Sequence, residues 1–152
     1  MHPRRHTIAK LLTWPAALFI AGILLWYEQY KLPGHPGSVH LFTVLSDWLF
    51  IPGYEKPFRL SVATAEIIAS LLVLLPATRL LGALGALALM SGANFFHVVS
   101  PLGIDPYGDG GQLFKEACAI WLSAVYIIWA YRAELRAWLT RLRQGRHNMA
   151  SA

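Results

Sequence analysis

Cysteine is almost missing from this sequence: Cys118 is the only one in 152 residues. A lone thiol excludes an internal disulfide relay and a Cys-x-x-Cys redox pair within the chain. Charge is scarce as well. Asp, Glu, Lys and Arg supply 14% of residues, and their spread leaves no room for a separate soluble domain of useful size. Of the six histidines, only His97 lies inside an apolar run, so a haem gripped between helices by two imidazoles lacks its second ligand. His35 and His40 share no fixed helical spacing, and no metal site is expected from them. Gly108-Asp-Gly-Gly111 is not followed by Gly-Lys-Ser/Thr and is no phosphate loop. It reads as a tight turn before a helix, with Asp109 near that helix's positive end.

What the chain has in abundance is apolar surface: 56% hydrophobic residues and a mean hydropathy of +0.46. Four stretches stand out, roughly Leu11–Tyr30, Leu60–Leu75 (58–76 with Phe58 and Pro76), Leu80–Val99 and Leu113–Tyr131. Each is close to the 20 or so apolar residues that cross a hydrocarbon core of about 30 Å. The expected fold is an all-α membrane protein, a four-transmembrane-helix bundle forming one domain over 1–152 with a basic cytoplasmic tail at 132–152. Arg4, Arg5 and Lys10 precede the first stretch as they would precede a signal peptide. That stretch nevertheless outruns a signal's apolar core and ends in Trp26, Tyr27 and Tyr30 rather than a cleavage site, so it reads as a retained span.

Basic residues orient the bundle, since Lys and Arg beside span ends stay cytoplasmic. With the N-terminus inside, nine fall on the cytoplasmic side and four, Lys31, Lys56, Arg59 and Lys115, on the outer side. Both termini are therefore expected in the cytoplasm, and the net charge of +5 is met by anionic lipid without a nucleic-acid partner. The short turn Pro76–Arg79 makes the second and third spans antiparallel neighbours. In the first outer loop, Leu41, Phe42, Leu45, Trp48 and Leu49 recur at helical spacing within Ser38–Phe50, the pattern of a short interfacial helix. Gly82 with Ala86, and Ala88 with Gly92, repeat at i,i+4 and allow close helix packing.

Alternating helix direction brings the polar residues of all four spans to the outer half. Glu66 is the deepest; a charged carboxylate near a span centre costs about 2.5–3.5 kcal/mol, so it calls for a partner, with Lys31, His97 and Lys115 the candidates. Asn94 and His97 lie i,i+3 on one face, and a histidine beside a carboxylate can exchange protons near neutral pH. A quinone would require such a pocket: donors for two carbonyl oxygens, protons for reduction, and apolar walls. Trp26, Tyr27, Phe95, Phe96 and Trp121 are the candidate aromatic walls, although interfacial aromatic belts occur without any ligand.

With these residues in view, the sequence resembles the DoxX family of small four-helix bacterial membrane proteins, which includes the DoxD-type large subunit of thiosulfate:quinone oxidoreductase. The resemblance covers roughly 11–131. It rests on Gly22 to Lys31-Leu32, on Glu66 with the leucine run to Thr78-Arg79, on Ala93-Asn-Phe-Phe-His97, and on Gly-Asp-Gly-Gly-Gln-Leu-Phe at 108–114. It implies a bacterial inner membrane and quinone-linked redox work beside a partner protein. The resulting expectation is a quinone-associated membrane subunit in which Glu66 and His97 act catalytically, Lys31, Asn94, Lys115 and Trp121 bind ligand, and no metal takes part. Two alternatives stay open: a scaffold docking soluble redox enzymes through the basic tail, and a small-molecule carrier, which as an oligomer would be less foreign to so small a bundle.

Overall fold

A computed structural model describes residues 10–138, 140 and 141, and the described residues are helical with no strand. Five helices form its body: α1 (Thr13–Lys31), α2 (Pro36–Trp48), α3 (Glu55–Leu74), α4 (Arg79–Val99) and α5 (Gln112–Ala130). Residues 132–138 resume a helix after a turn at Tyr131. The remainder of the expected basic tail, with Arg4, Arg5 and the two N-terminal histidines, lies outside the described residues.

α3, α4 and α5 are each long and apolar enough to cross a membrane. α1 is not among these, although it runs for 19 residues, because its last turns are Trp26-Tyr-Glu-Gln-Tyr-Lys31. α1, α3, α4 and α5 pack as a ring in which α4 touches α3 and α5, and α1 touches the same two from the opposite corner. Their shared core is small or slender: Ala17, Ile20, Ala21, Leu24, Val73, Ala83, Ala86, Met90, Ala117, Ile120, Ala124 and Ile127. Large apolar side chains turn outward instead, among them Leu18, Trp26, Ile68, Leu71, Leu81, Leu122 and Trp129. Outward apolar faces of this extent are foreign to a soluble monomer; with the three long apolar helices they are compatible with a multi-pass membrane protein.

The α3–α4 turn is held by its own side chains. A helix leaves its last carbonyls without intrahelical donors; here Thr78 Oγ1 donates to Leu72 O at 2.9 Å, and Arg79 donates to Val73 O at 3.0 Å and Leu74 O at 3.3 Å. Arg79 also reaches Thr13 Oγ1 at 3.1 Å and lies 4.0 Å from the centre of the Trp14 ring, while remaining 1% exposed. This buried guanidinium joins three helices. Just beyond it, a Cβ on Gly82 would sit 2.2 Å from Val73 N, so only glycine permits the approach of α4 to α3.

At the opposite end lies α2, packed mainly on α3. Pro36, read as a helix breaker, is the first residue of α2: its missing N–H would have lacked a partner there anyway. The sequence placed this helix at 38–50, and the two-residue offset comes from that proline start and from Phe50, which has φ 60° and is 92% exposed. The loop before α5 turns on Asp105, whose carboxylate accepts from Asp109 N at 3.0 Å and Gly110 N at 3.3 Å. Desolvation raises the carboxyl, but the main-chain donors together outweigh it and hold Asp105 below its usual carboxylate range. Asp109 Oδ1 in turn accepts from Gly111 N and Gln112 N at 3.1 and 3.0 Å, placing an anion at the positive end of α5.

Candidate functional site

Within the α2 end of the bundle is a cavity of about 640 Å³ to which all five helices contribute, a volume in the usual range for small-molecule sites. Its walls are chiefly aliphatic and aromatic. Phe42, Phe58 and Phe96 meet edge to face, at 5.3 Å between Phe42 and Phe58 and 6.3 Å between Phe58 and Phe96. Trp48 buttresses them from behind at 6.0 Å from Phe96. This cluster pins α2 across the ends of α3 and α4, so the short helix closes one side of the cavity.

One polar corner is a buried charge cluster. Lys31 Nζ bonds both Glu66 and, at 3.0 Å, Glu28 Oε1, and both carboxylates are 5% exposed. Helix geometry explains the arrangement: Glu28 lies one turn before Lys31 on the same face of α1, and Glu66 approaches from α3. Glu28 Oε2 is buried with no hydrogen-bond partner. Two carboxylates thus face one ammonium, leaving one negative charge in excess unless the cluster holds a proton. The main chain at this point is fixed separately: Arg59, itself 4% exposed, donates to the Lys31 carbonyl and pairs with Glu55. An arginine of α3 therefore caps the last turn of α1, sharing the Lys31 carbonyl with Gly34 N, which donates to it at 3.3 Å.

The second polar position is His97, 4% exposed on the wall formed by α4. Its Nδ1 lies 2.7 Å from Gly103 O, and the ring stands against Phe114 at 5.6 Å. A carbonyl can only accept, so Nδ1 carries the hydrogen. No hydrogen bond joins His97 to Glu66, though both border the same space. Phe58 and Phe96 are level with one another, and Glu66 lies eight residues beyond Phe58, about 12 Å deeper along α3 at 1.5 Å per residue.

A third group seals the α5 side. Tyr27 donates to Glu116 Oε2 at 2.6 Å, and Gln112 Nε2 donates to the other carboxylate oxygen at 3.0 Å. Near the mouth, Tyr107 donates to Gly37 O at 3.1 Å, tying the loop before α5 to the start of α2.

The residues expected from sequence divide accordingly. Lys31, Glu66 and His97 all border the cavity, as do Tyr27 and Phe96. Of the three expected partners of Glu66, the structure pairs it with Lys31. Asn94, Lys115 and Trp121 are not on the cavity wall. Asn94 Oδ1 accepts from Cys118 Sγ at 3.5 Å, and Trp121 donates to Ser91 Oγ at 3.0 Å, both along the outer seam between α4 and α5. Lys115 is exposed near Gly110, and Trp26 and Phe95 also face outward. Sequence reasoning passed over Glu28 as a pair-forming group and read Arg59 only as a topology charge. The available signals were the Glu28/Lys31 spacing of three and the Glu55/Arg59 spacing of four. Among the described residues no group of three or more metal-ligating side chains converges. Comparison with protein-family models, with curated proteins and with solved structures produced no match.

Proposed function

We propose that this chain is a multi-pass membrane subunit that binds the head group of a lipophilic quinone-type ligand, in either redox state, within the cavity beneath α2. The supporting observation is the cavity itself: about 640 Å³, walled by apolar and aromatic side chains, and bordered by two separate polar positions, Lys31–Glu66 and His97. A lipophilic ring with an oxygen at either end asks for this combination, apolar contact along its faces and hydrogen-bonding groups at its poles. The residues present fit such a ligand. Phe42, Phe58 and Phe96 would hold the ring, while Lys31, Glu66 and His97 would meet its oxygens.

In this reading α1 is a fourth span whose polar end is met by Arg59 and Glu66, and α2 lies at the outer interface. Both termini are cytoplasmic, by the nine-to-four distribution of basic residues. The resemblance to the DoxX family adds a bacterial inner membrane and a redox partner protein. When bound, a quinone supplies the two-electron chemistry; the chain's own residues bind and orient it, and the excess carboxylate of the Glu28–Lys31–Glu66 cluster provides a place to hold a proton. Electrons come from or go to the partner.

Binding of decylbenzoquinone and of its hydroquinone to the detergent-purified protein tests this. Saturable binding of at least one redox state, weakened at least about tenfold in both Glu66→Gln and His97→Ala at matched thermal stability, is expected from the loss of a buried hydrogen bond. Absence of binding by a folded wild type in both states would overturn the proposal and turn the search to the scaffold alternative.

A further inference from the structure

The polar atoms still free to face the cavity decide what its occupant must carry. The Tyr27 hydrogen is committed to Glu116 and the Tyr107 hydrogen to Gly37 O. Lys31 directs two of its three N–H groups to Glu28 and Glu66, leaving one. The hydroxyls of Tyr30 and Ser38, also on the wall, either donate or accept and so discriminate nothing. His35, whose Nδ1 accepts from Gly37 N at 3.3 Å, keeps an Nε2 hydrogen that suits either a carbonyl or a hydroxyl oxygen. At this corner a carbonyl is met by the third N–H of Lys31 and a hydroxyl by Glu66.

His97 is different. Its Nδ1 hydrogen is engaged by Gly103 O at 2.7 Å, so in the neutral ring Nε2 presents a lone pair and nothing else. Among the described residues no hydrogen bond occupies Nε2, and the side chain is buried against the cavity. A carbonyl oxygen placed there meets lone pair with lone pair, whereas a hydroxyl completes a bond.

We infer that the occupant presents a hydroxyl to His97 Nε2, so the cavity prefers the reduced, hydroxyl-bearing form of a lipophilic aromatic ligand, a hydroquinone or an alkylphenol, over a form bearing only acceptors. The inference rests on the proposed function and names the ligand state which that reading leaves open.

A pair of redox-inert probes separates the two. Para-decylphenol and para-decylanisole carry the same ring and tail, but only the phenol can donate. At about pH 8, above the ordinary histidine range near 6.5, the wild type is expected to bind the phenol about tenfold more tightly, roughly 1.4 kcal/mol. His97→Asn retains a donor for Gly103 O but removes the atom at the Nε2 position, and is expected to bring the ratio close to one. Equal binding of the probes by the wild type, binding of neither, or a preference that survives in His97→Asn overturns the inference. If decylbenzoquinone or its hydroquinone still binds saturably in that case, the proposed function stands without it.

Discussion

Arg59 of α3 donates to the main-chain carbonyl of Lys31, the last residue of α1, while the Lys31 side chain turns back to Glu66 on the same α3. One residue is thereby fixed at both its backbone and its ammonium by a single neighbouring helix, and the charged corner of the cavity depends on that double attachment. Replacing Arg59 with Met should leave the Glu55 carboxylate without its partner and the Lys31 carbonyl with only the longer bond from Gly34 N at 3.3 Å. A loss of about 3 kcal/mol is expected, read as a lowered thermal midpoint in detergent; an unchanged midpoint would show that the cap carries no stability.

Lys31→Met should be as damaging, since it strands two buried carboxylates. Breaking a buried pair from one side costs about 3–5 kcal/mol, whereas replacing both partners by apolar residues is often close to neutral. The Lys31→Met/Glu66→Met double variant should therefore recover the part of the loss that comes from Glu66, while Glu28, its ammonium gone, keeps the remainder. A double-mutant cycle that gives additive losses would mean that the two side chains do not couple in the folded protein.

Glycines in α4 should respond in opposite directions. At Gly82 a Cβ meets the α3 backbone at 2.2 Å, whereas at Gly92 it meets nothing within 4 Å. Gly82→Ala should cost about 1–3 kcal/mol through overpacking. Gly92→Ala should be neutral or stabilising by up to about 1 kcal/mol from helix propensity, and because Gly92 borders the cavity it should narrow the ligand space. Thermal denaturation of both variants beside ligand binding by Gly92→Ala gives the comparison.

Tyr107 supplies a pH dependence. Partial desolvation, reinforced by the Asp109 charge, raises the Tyr107 phenol above its ordinary value, although the residue remains 46% exposed. A raised folded-state value means that its contribution is complete below the unfolded value of about 10 and disappears as pH rises through the folded one. The stability difference between wild type and Tyr107→Phe should therefore be constant below about pH 9.5 and shrink above it. A difference that stays flat to higher pH would show that the Tyr107–Gly37 bond is not maintained.

Much of this architecture was legible from two patterns, apolar length and alternating direction. Glu66, His97 and Lys31 could be assigned to one end of the bundle because successive spans reverse, and Asp109 to the start of α5 because glycines and an aspartate precede an apolar run. Helix rotation was harder to read. Asn94 and His97 are three residues apart, about 60° around the axis at 3.6 residues per turn. That angle is enough to set Asn94 in the α4–α5 seam while His97 faces the cavity. Arg59 and Arg79 were counted only toward the orientation of the spans, as Lys and Arg beside span ends are. Their burial depends on carbonyls of other helices, Lys31 O for one and Val73 O and Leu74 O for the other, and such tertiary partners leave no mark in local spacing.

The double attachment of Lys31 also bears on biogenesis. α1 is the long helix not apolar enough to count as an independent span, and the groups that complete its polar end arrive late. Arg59 follows Lys31 by 28 residues and Glu66 follows it by 35. While a nascent chain exposes α1 alone, Glu28 and Lys31 have only each other, in a setting where unpaired charge is costly. If α1 is a fourth span as proposed, α1 and α3 form the natural unit of insertion, with α1 waiting at the membrane surface until α3 emerges. On that reading, the order of assembly follows from a helix end whose charges are completed by residues of α3.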